Sequence, residues 1–194
     1  MFACMHIPDA RIAASSQPAL LDFASAFSPR VEDTAPGVVV LDIEGLDRLF
    51  GSTAELAERL QDYTSSLGTP VHIGIASNPD SAIFAAREWA GITILKAGTE
   101  AARLKELNIA MLPLDEDTHA TLVRWGIHTF GALSQLPPKD LAVRIGPQGV
   151  QLHRLARGIA MRPLRVLKNA PHFEERMEFD DALTTLEPLA FVLN

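Results

Sequence analysis

The chain has 194 residues, of which 47% are apolar and 21% charged, and a net charge of −7. This is the composition of an ordinary globular protein with room for one domain or two small ones, and no apolar run approaches the roughly 20 residues of a membrane helix. The single cysteine, Cys4, excludes an internal disulfide and suits the cytoplasm, while Met1–Ile7 is apolar but lacks the basic start of a signal peptide.

Residues 1–7 read as a short buried strand. Pro18 opens a helical pattern with Leu20, Leu21, Phe23, Ala24 and Phe27 on one face, closed by Ser28-Pro29. Val31 begins a short strand, and Gly37–Ile43 is a β-branched run of central-strand character. Gly45 and Gly51 bracket a turn. Ser52-Thr-Ala-Glu55 has the form of a capping box, in which hydroxyl and carboxylate satisfy free amides at a helix start. The helix it opens runs to about Leu67 with Leu56, Ala57, Leu60 and Tyr63 inward. Val71–Ala76 is the next strand, and Asp80–Ala90 the next helix. The order β-α-β-β-α-β-α predicts an α+β sandwich of ferredoxin-like type, its helices on one sheet face burying Phe23, Phe27, Leu56, Leu60 and Phe84.

From about Leu104 the pattern changes to short helices over 104–108, 117–125, 129–135, 138–145 and 148–157, jointed by Gly126, Pro137-Pro138, Gly146-Pro147 and Gly158. This predicts a small all-helical domain, with the boundary near Gly98–Glu100. Arg162–Pro171 is a basic extended linker, and 173–181 alternates like a strand. Charge is unevenly spread. Residues 139–172 hold seven basic side chains (Lys139, Arg144, Arg154, Arg157, Arg162, Arg165 and Lys168) against one acid, Asp140. A basic segment on an acidic body is a candidate phosphate-facing surface. The six histidines show no metal-ligand spacing and there is no second cysteine, so no zinc site is expected. No Gly-Lys-Ser/Thr phosphate loop occurs either. Trp89 and Trp125 read as packing residues rather than base-stacking platforms.

Taken in order, these segments resemble the Y-family translesion DNA polymerases, and within them the ImuB-like inactive branch. Phe27-Ser-Pro-Arg-Val-Glu32 and Leu41-Asp-Ile-Glu-Gly45 are similar to the strands flanking the family's Ser-Ile-Asp-Glu-Ala motif. Arg48-Leu-Phe-Gly51 resembles the start of the next helix, and His72-Ile-Gly-Ile-Ala-Ser-Asn78 the palm strand Gly-Ile-Ala-x-Asn-Lys. Trp125-Gly-Ile-His-Thr-Phe-Gly131, Gly146-Pro-Gln-Gly149 and Leu152-His-Arg-Leu-Ala-Arg-Gly158 resemble a helix-hairpin-helix thumb, and Arg162-Pro163 with Phe173-Glu-Glu-Arg176 the lead into the little finger. The resemblance implies a ferredoxin-like palm lacking most of the fingers over 1–98, a helical thumb over 99–161, and a linker with the truncated start of a little finger over 162–194.

It also implies a chemistry. The family holds two Mg²⁺ ions on carboxylates, hard oxygen ligands that clamp the attacking and leaving oxygens. Here those positions fall on Ile7, Gly37 and Val38, and the triphosphate-facing lysine falls on Pro79. Asp9 stands two residues beyond Ile7; Asp42 is expected to cap its turn and Glu44 to be exposed. The thumb's phosphate-gripping hairpin falls on Pro113-Leu-Asp115, where proline removes an amide and acids follow. DNA contact then rests on Arg144, Arg154, Arg157, Arg162, Arg165 and Lys168, with Arg154 and Arg157 on one helix face. The expectation is a non-catalytic, cytoplasmic adaptor in translesion synthesis. It needs no cofactor and binds damaged or primer–template DNA without sequence preference, beside partners such as an error-prone replicative-type polymerase and the sliding clamp. Two alternatives stand: a minimal Mg²⁺-dependent polymerase using Asp9 with Asp42 or Glu44, and a protein-interaction module without DNA binding.

Overall fold

The computed structural model describes residues 1–167, so Lys168 and the start of the expected little finger lie outside the described residues. β1 (Phe2–His6), β2 (Val31–Ala35), β3 (Val38–Asp42), β4 (His72–Ala76) and β5 (Ile92–Ile94) form one sheet in the order β2-β3-β1-β4-β5. The first four strands pair antiparallel, whereas β5 runs parallel to β4. Together with α1 (Ala10–Phe27), the one-turn α2 (Asp47–Phe50) and α3 (Thr53–Thr64), this is the split βαβ arrangement expected of a ferredoxin-like unit. The parallel strand β5 has no counterpart among the expected elements. At three residues, Ile92–Ile94, it is too short for periodicity to reveal.

Strand alternation sorts the core into two layers. Ala3, Met5, Ile7, Val39, Leu41, Ile73 and Ile75 face α1 and α3, where they meet Ala13, Leu20, Ala24, Leu56, Ala57 and Leu60. Cys4, Val38, Val40 and Ala76 face the other way, onto α4 (Pro79–Glu88). Helices therefore cover both sheet faces rather than one, and Phe84 is buried on the face opposite Leu56 and Leu60. Gly74 makes the second layer possible: a Cβ there would run into the Ala82 carbonyl and, at 2.5 Å, the Ala86 nitrogen.

α1 starts eight residues earlier than Pro18 suggests. Asp9 is its N-cap, accepting from the Arg11 amide, and the helix runs through Pro18, forgoing one backbone hydrogen bond there. The Ser52–Glu55 capping box forms as expected. Tyr63 is not inward, however. It is half exposed and stacks edge-on with Phe23 and Phe27 at 5.1 and 5.5 Å, while Thr64 takes the buried place.

The helical part comprises α5 (Glu100–Leu104), a 3-10 turn at Ile109–Met111, α6 (Glu116–Arg124), α7 (Phe130–Ser134), α8 (Pro138–Ile145) and α9 (Pro147–Ala156). The short helix expected over 104–108 instead ends at Leu104. Leu104, Leu107, Leu122, Phe130, Leu133, Leu152 and Leu164 share one hydrophobic cluster with α4 and the far sheet face. The core is thus continuous across the expected boundary at residues 98–99.

Candidate functional site

The rim where β1 ends and β2 turns into β3 brings Ile7, Gly37 and Val38 together. The Ile7 amide donates to the Gly37 carbonyl at 2.8 Å, and all three residues are buried. Ala35 pairs with Val38 across the turn, leaving Pro36 and Gly37 as its central residues. Proline at the first place and glycine with φ +73° at the second suit a type II turn. α1 covers this turn directly. Gln17 accepts from the Gly37 amide at 2.6 Å and donates to Asp33 at 2.6 Å. A Cβ on Gly37 would stand 2.7 Å from the Ala13 Cβ and 3.1 Å from the Ile7 carbonyl oxygen. Ile7 belongs to the layer beneath α1, and Val38 to the layer beneath α4. These side chains are hydrocarbon or absent and do not fit a hard divalent cation.

The neighbouring carboxylates have other partners. Asp9 caps α1 and pairs with Arg11 through Nε–Oδ1 at 3.0 Å and Nη2–Oδ2 at 2.7 Å. Those hydrogen bonds hold its carboxyl below the usual range. Asp42 is buried, accepts from the Glu44 amide at 3.0 Å, and pairs with Arg30 at 2.7 Å. It caps its turn, and Glu44 is exposed. Among the described residues no group of three or more His, Cys, Asp or Glu side chains is placed to hold a metal ion.

The start of α4 is equally occupied. Asn78 caps it by accepting from the Ser81 amide and also donates 2.8 Å to the Gly158 carbonyl, with Pro79 at the first helical position. The end of the helical part is thereby tied to the sheet. Beside it lies a cleft of about 340 Å³ lined by Thr34, Asp80, Phe84, Arg87, Met111 and Leu155.

The candidate DNA-contacting residues separate. Arg154 and Arg157 are exposed at the C-terminal end of α9, on neighbouring positions. Arg144 is in the last turn of α8 and lies 5.4 Å over the ring of Trp125, which is partly exposed rather than core. α9 starts at Pro147 and rises 1.5 Å per residue, which puts Arg154 and Arg157 roughly 10 and 15 Å along the helix from its start. Arg165 is exposed. Arg162 is engaged within the chain: its guanidinium is held by Glu32 at 2.7 Å and Asp80 at 2.9 Å. Charge composition could not reveal this, because both acids lie far away in sequence.

The hairpin segment Pro113–Asp115 leads into α6, which Asp115 caps by accepting from the Thr118 amide at 2.7 Å. That hydrogen bond, with the Thr118 hydroxyl, keeps the Asp115 carboxyl below its ordinary value. Strand register also places His6 opposite His72, with ring centroids 6.0 Å apart. Linear spacing between the two gave no sign of this pair.

A sheet of this order, covered by α1 and α3 on one face and followed by short helices, is the architecture that the resemblance to Y-family palms predicts. Residues 5–87 match the impB/mucB/samB family model. The chain is 32% identical over 174 residues to the protein ImuB of Caulobacter vibrioides, which covers 90% of this chain and 38% of that protein. It is 32% identical over 160 residues to the DNA polymerase IV of Dehalococcoides mccartyi, covering 80% and 41%. The chain thus spans about two fifths of these relatives. Among solved structures, DinB from Sulfolobus solfataricus superposes with a TM-score of 0.61 at 19% identity, over 79% of this chain and 47% of that one. An insertion ternary complex of Dbh DNA polymerase gives the same score and identity, over 79% and 46%. No helix among the described residues is long and apolar enough to cross a membrane.

Proposed function

We propose that this chain is a non-catalytic Y-family relative that binds DNA and acts as an adaptor in DNA repair and translesion synthesis. The observation that carries the reading is the packing of Ala13 and Gln17 of α1 onto Gly37, at the rim where the family resemblance puts a metal-binding carboxylate. A cation there would meet aliphatic side chains on both sheet faces. The minimal-polymerase alternative finds no support in Asp9 or Asp42, because each already serves as a cap and an ion-pair partner.

DNA contact falls to Arg154 and Arg157, with Arg144 and Arg165 as outlying contributors. Such contacts address phosphates and carry no sequence preference. The adaptor would place an error-prone replicative-type polymerase and the sliding clamp at a damaged template; relatedness to ImuB supports this role. Two assays test the reading. Primer extension with Mg²⁺ or Mn²⁺ gives no template-dependent product. Anisotropy titration of labelled primer–template DNA gives binding that weakens with salt, and Arg154→Ala with Arg157→Ala flattens the plot of log K against log salt by about 1.8. Templated incorporation lost in Asp9→Ala would overturn the non-catalytic reading, and salt-independent or undetectable binding the DNA-binding one.

A further inference from the structure

The segment after α9 turns back across the sheet. Arg162 lies between two elements it joins: its Nη1 and Nη2 donate to the Glu32 carboxylate of β2 at 2.7 and 2.9 Å, and its Nε to Asp80 in the first turn of α4 at 2.9 Å. Glu32 is almost fully buried at 4% exposure. It also accepts from the Arg165 amide at 2.7 Å and from the Thr34 hydroxyl at 3.1 Å. Two residues further, the Leu167 amide donates to the Val31 carbonyl at 2.8 Å. Leu164, between these anchors, is buried in the shared core. Residues 162–167 therefore run along the outer edge of β2, a strand whose other side is paired to β3.

We propose that Arg162 is a latch that straps residues 162–167 to the β2 edge, fixing the point from which the remainder of the chain departs and closing that edge to other strands. Three features set this apart from an incidental surface ion pair. The guanidinium engages one carboxylate through two nitrogens and a second through the third, a fork that lysine cannot reproduce. Glu32 is buried, so losing its cation strands a charge rather than returning it to water. The acids lie 130 and 82 residues away from Arg162, so the contact links distant parts of the chain. The charges respond accordingly. Burial opposes the Arg162 charge, but both carboxylates outweigh it and hold the guanidinium above its usual pKa. Burial would raise the Glu32 carboxyl, but hydrogen bonds from Arg162 and the Arg165 amide bring it below the ordinary glutamate value. An unpaired sheet edge is a template for foreign strands; the strap covers this one, while β5 forms the opposite edge.

The test is residue-resolved hydrogen exchange on the full chain, comparing the parent with Arg162→Met, Arg162→Lys and Glu32→Gln. In Arg162→Met, exchange at the Arg165 and Leu167 amides accelerates at least tenfold, while the Cys4, Val40 and Ile75 amides keep their parent rates. Arg162→Lys gives an intermediate acceleration, because one ammonium satisfies one carboxylate at a time. Glu32→Gln behaves like Arg162→Met. Trypsin cleavage after Arg165 rises in the same rank order. Unchanged exchange at Arg165 and Leu167 overturns the latch. So does equal acceleration throughout the sheet, which would make Arg162 a general stability residue, and so does parent-like behaviour of Glu32→Gln.

Discussion

Gly37→Ala isolates the packing of α1 on this rim. The backbone there has φ +73°, a conformation costing an L-residue about 1–2 kcal/mol. The added Cβ would meet the Ala13 Cβ at 2.7 Å and the Ile7 carbonyl at 3.1 Å, and overpacking of this kind costs roughly 1–3 kcal/mol. Together these predict a loss of about 2–5 kcal/mol, read as the fall in urea midpoint at constant slope. Ala13→Gly alone should cost about 1 kcal/mol from helix propensity. Combined with Gly37→Ala it removes one of the two clashing atoms, so the double variant should be more stable than additivity predicts, by 0.5 kcal/mol or more. Gly37→Asp should be worse than Gly37→Ala, since it adds a carboxylate to a buried place. A Gly37→Ala variant within 0.5 kcal/mol of the parent, where ordinary surface changes fall, or strictly additive pairs, would refute the claim that α1 fills this rim.

Three further outcomes follow from individual residues. Ser52→Ala removes one half of the capping box and should lower stability by about 1 kcal/mol, with Ser52→Asp recovering most of it; thermal melts of the three proteins check this. Burial, only partly offset by the hydrogen bond to the Ala86 carbonyl, lowers the proton affinity of His6 below the ordinary value of 6.5. The unfolded chain then takes up a proton that the folded one refuses. Stability is therefore full above 6.5, falls as pH drops through it, and levels off below the folded pKa. His6→Gln should flatten the urea midpoint between pH 7.5 and 5, and a parent midpoint that rises on acidification would contradict this. Finally, burial pushes the Cys4 thiol up to about 12, so a thiol reagent should label it only at the rate of unfolding, tested by whether labelling speeds up in urea.

What the sequence disclosed depended on range. Local signals were readable, including the Ser52 capping box, the β-branched run of β3, and the Ile-Gly-Ile-Ala stretch of β4. Pro18 misled because proline favours helix starts, whereas the stronger local signal was the Asp9 side chain capping its own helix. Tyr63 fitted the inward period but is drawn out by an aromatic neighbourhood of Phe23 and Phe27. At the candidate site, the aliphatic identity of Ile7, Gly37 and Val38 was visible in the sequence, but not what packs against them. The fate of Arg162 was illegible because its partners sit on β2 and α4; only the fold brings a basic linker beside two acids.

The four departures from the polymerase pattern are linked through packing. With α1 following β1 after three residues, its first turns must lie over the end of β1. That placement buries Ile7, seats Ala13 against the turn, and leaves room at residue 37 only for glycine. On the other face α4 approaches closely over Gly74 and helps bury Val38, while its N-terminus is taken by Pro79 and by the tie from Asn78 to Gly158. An aspartate returned to position 7 would lie under α1, and a glutamate at position 38 under α4, each desolvated with no cation yet present to compensate. The cost of the first carboxylate thus precedes any gain from the metal, and the aliphatic set is self-consistent so long as α1 stays where it is. On the proposed reading, cation chemistry on this sheet requires the first two turns of α1 to be shortened or displaced, and that change removes the Gln17 bond holding the Pro36–Gly37 turn.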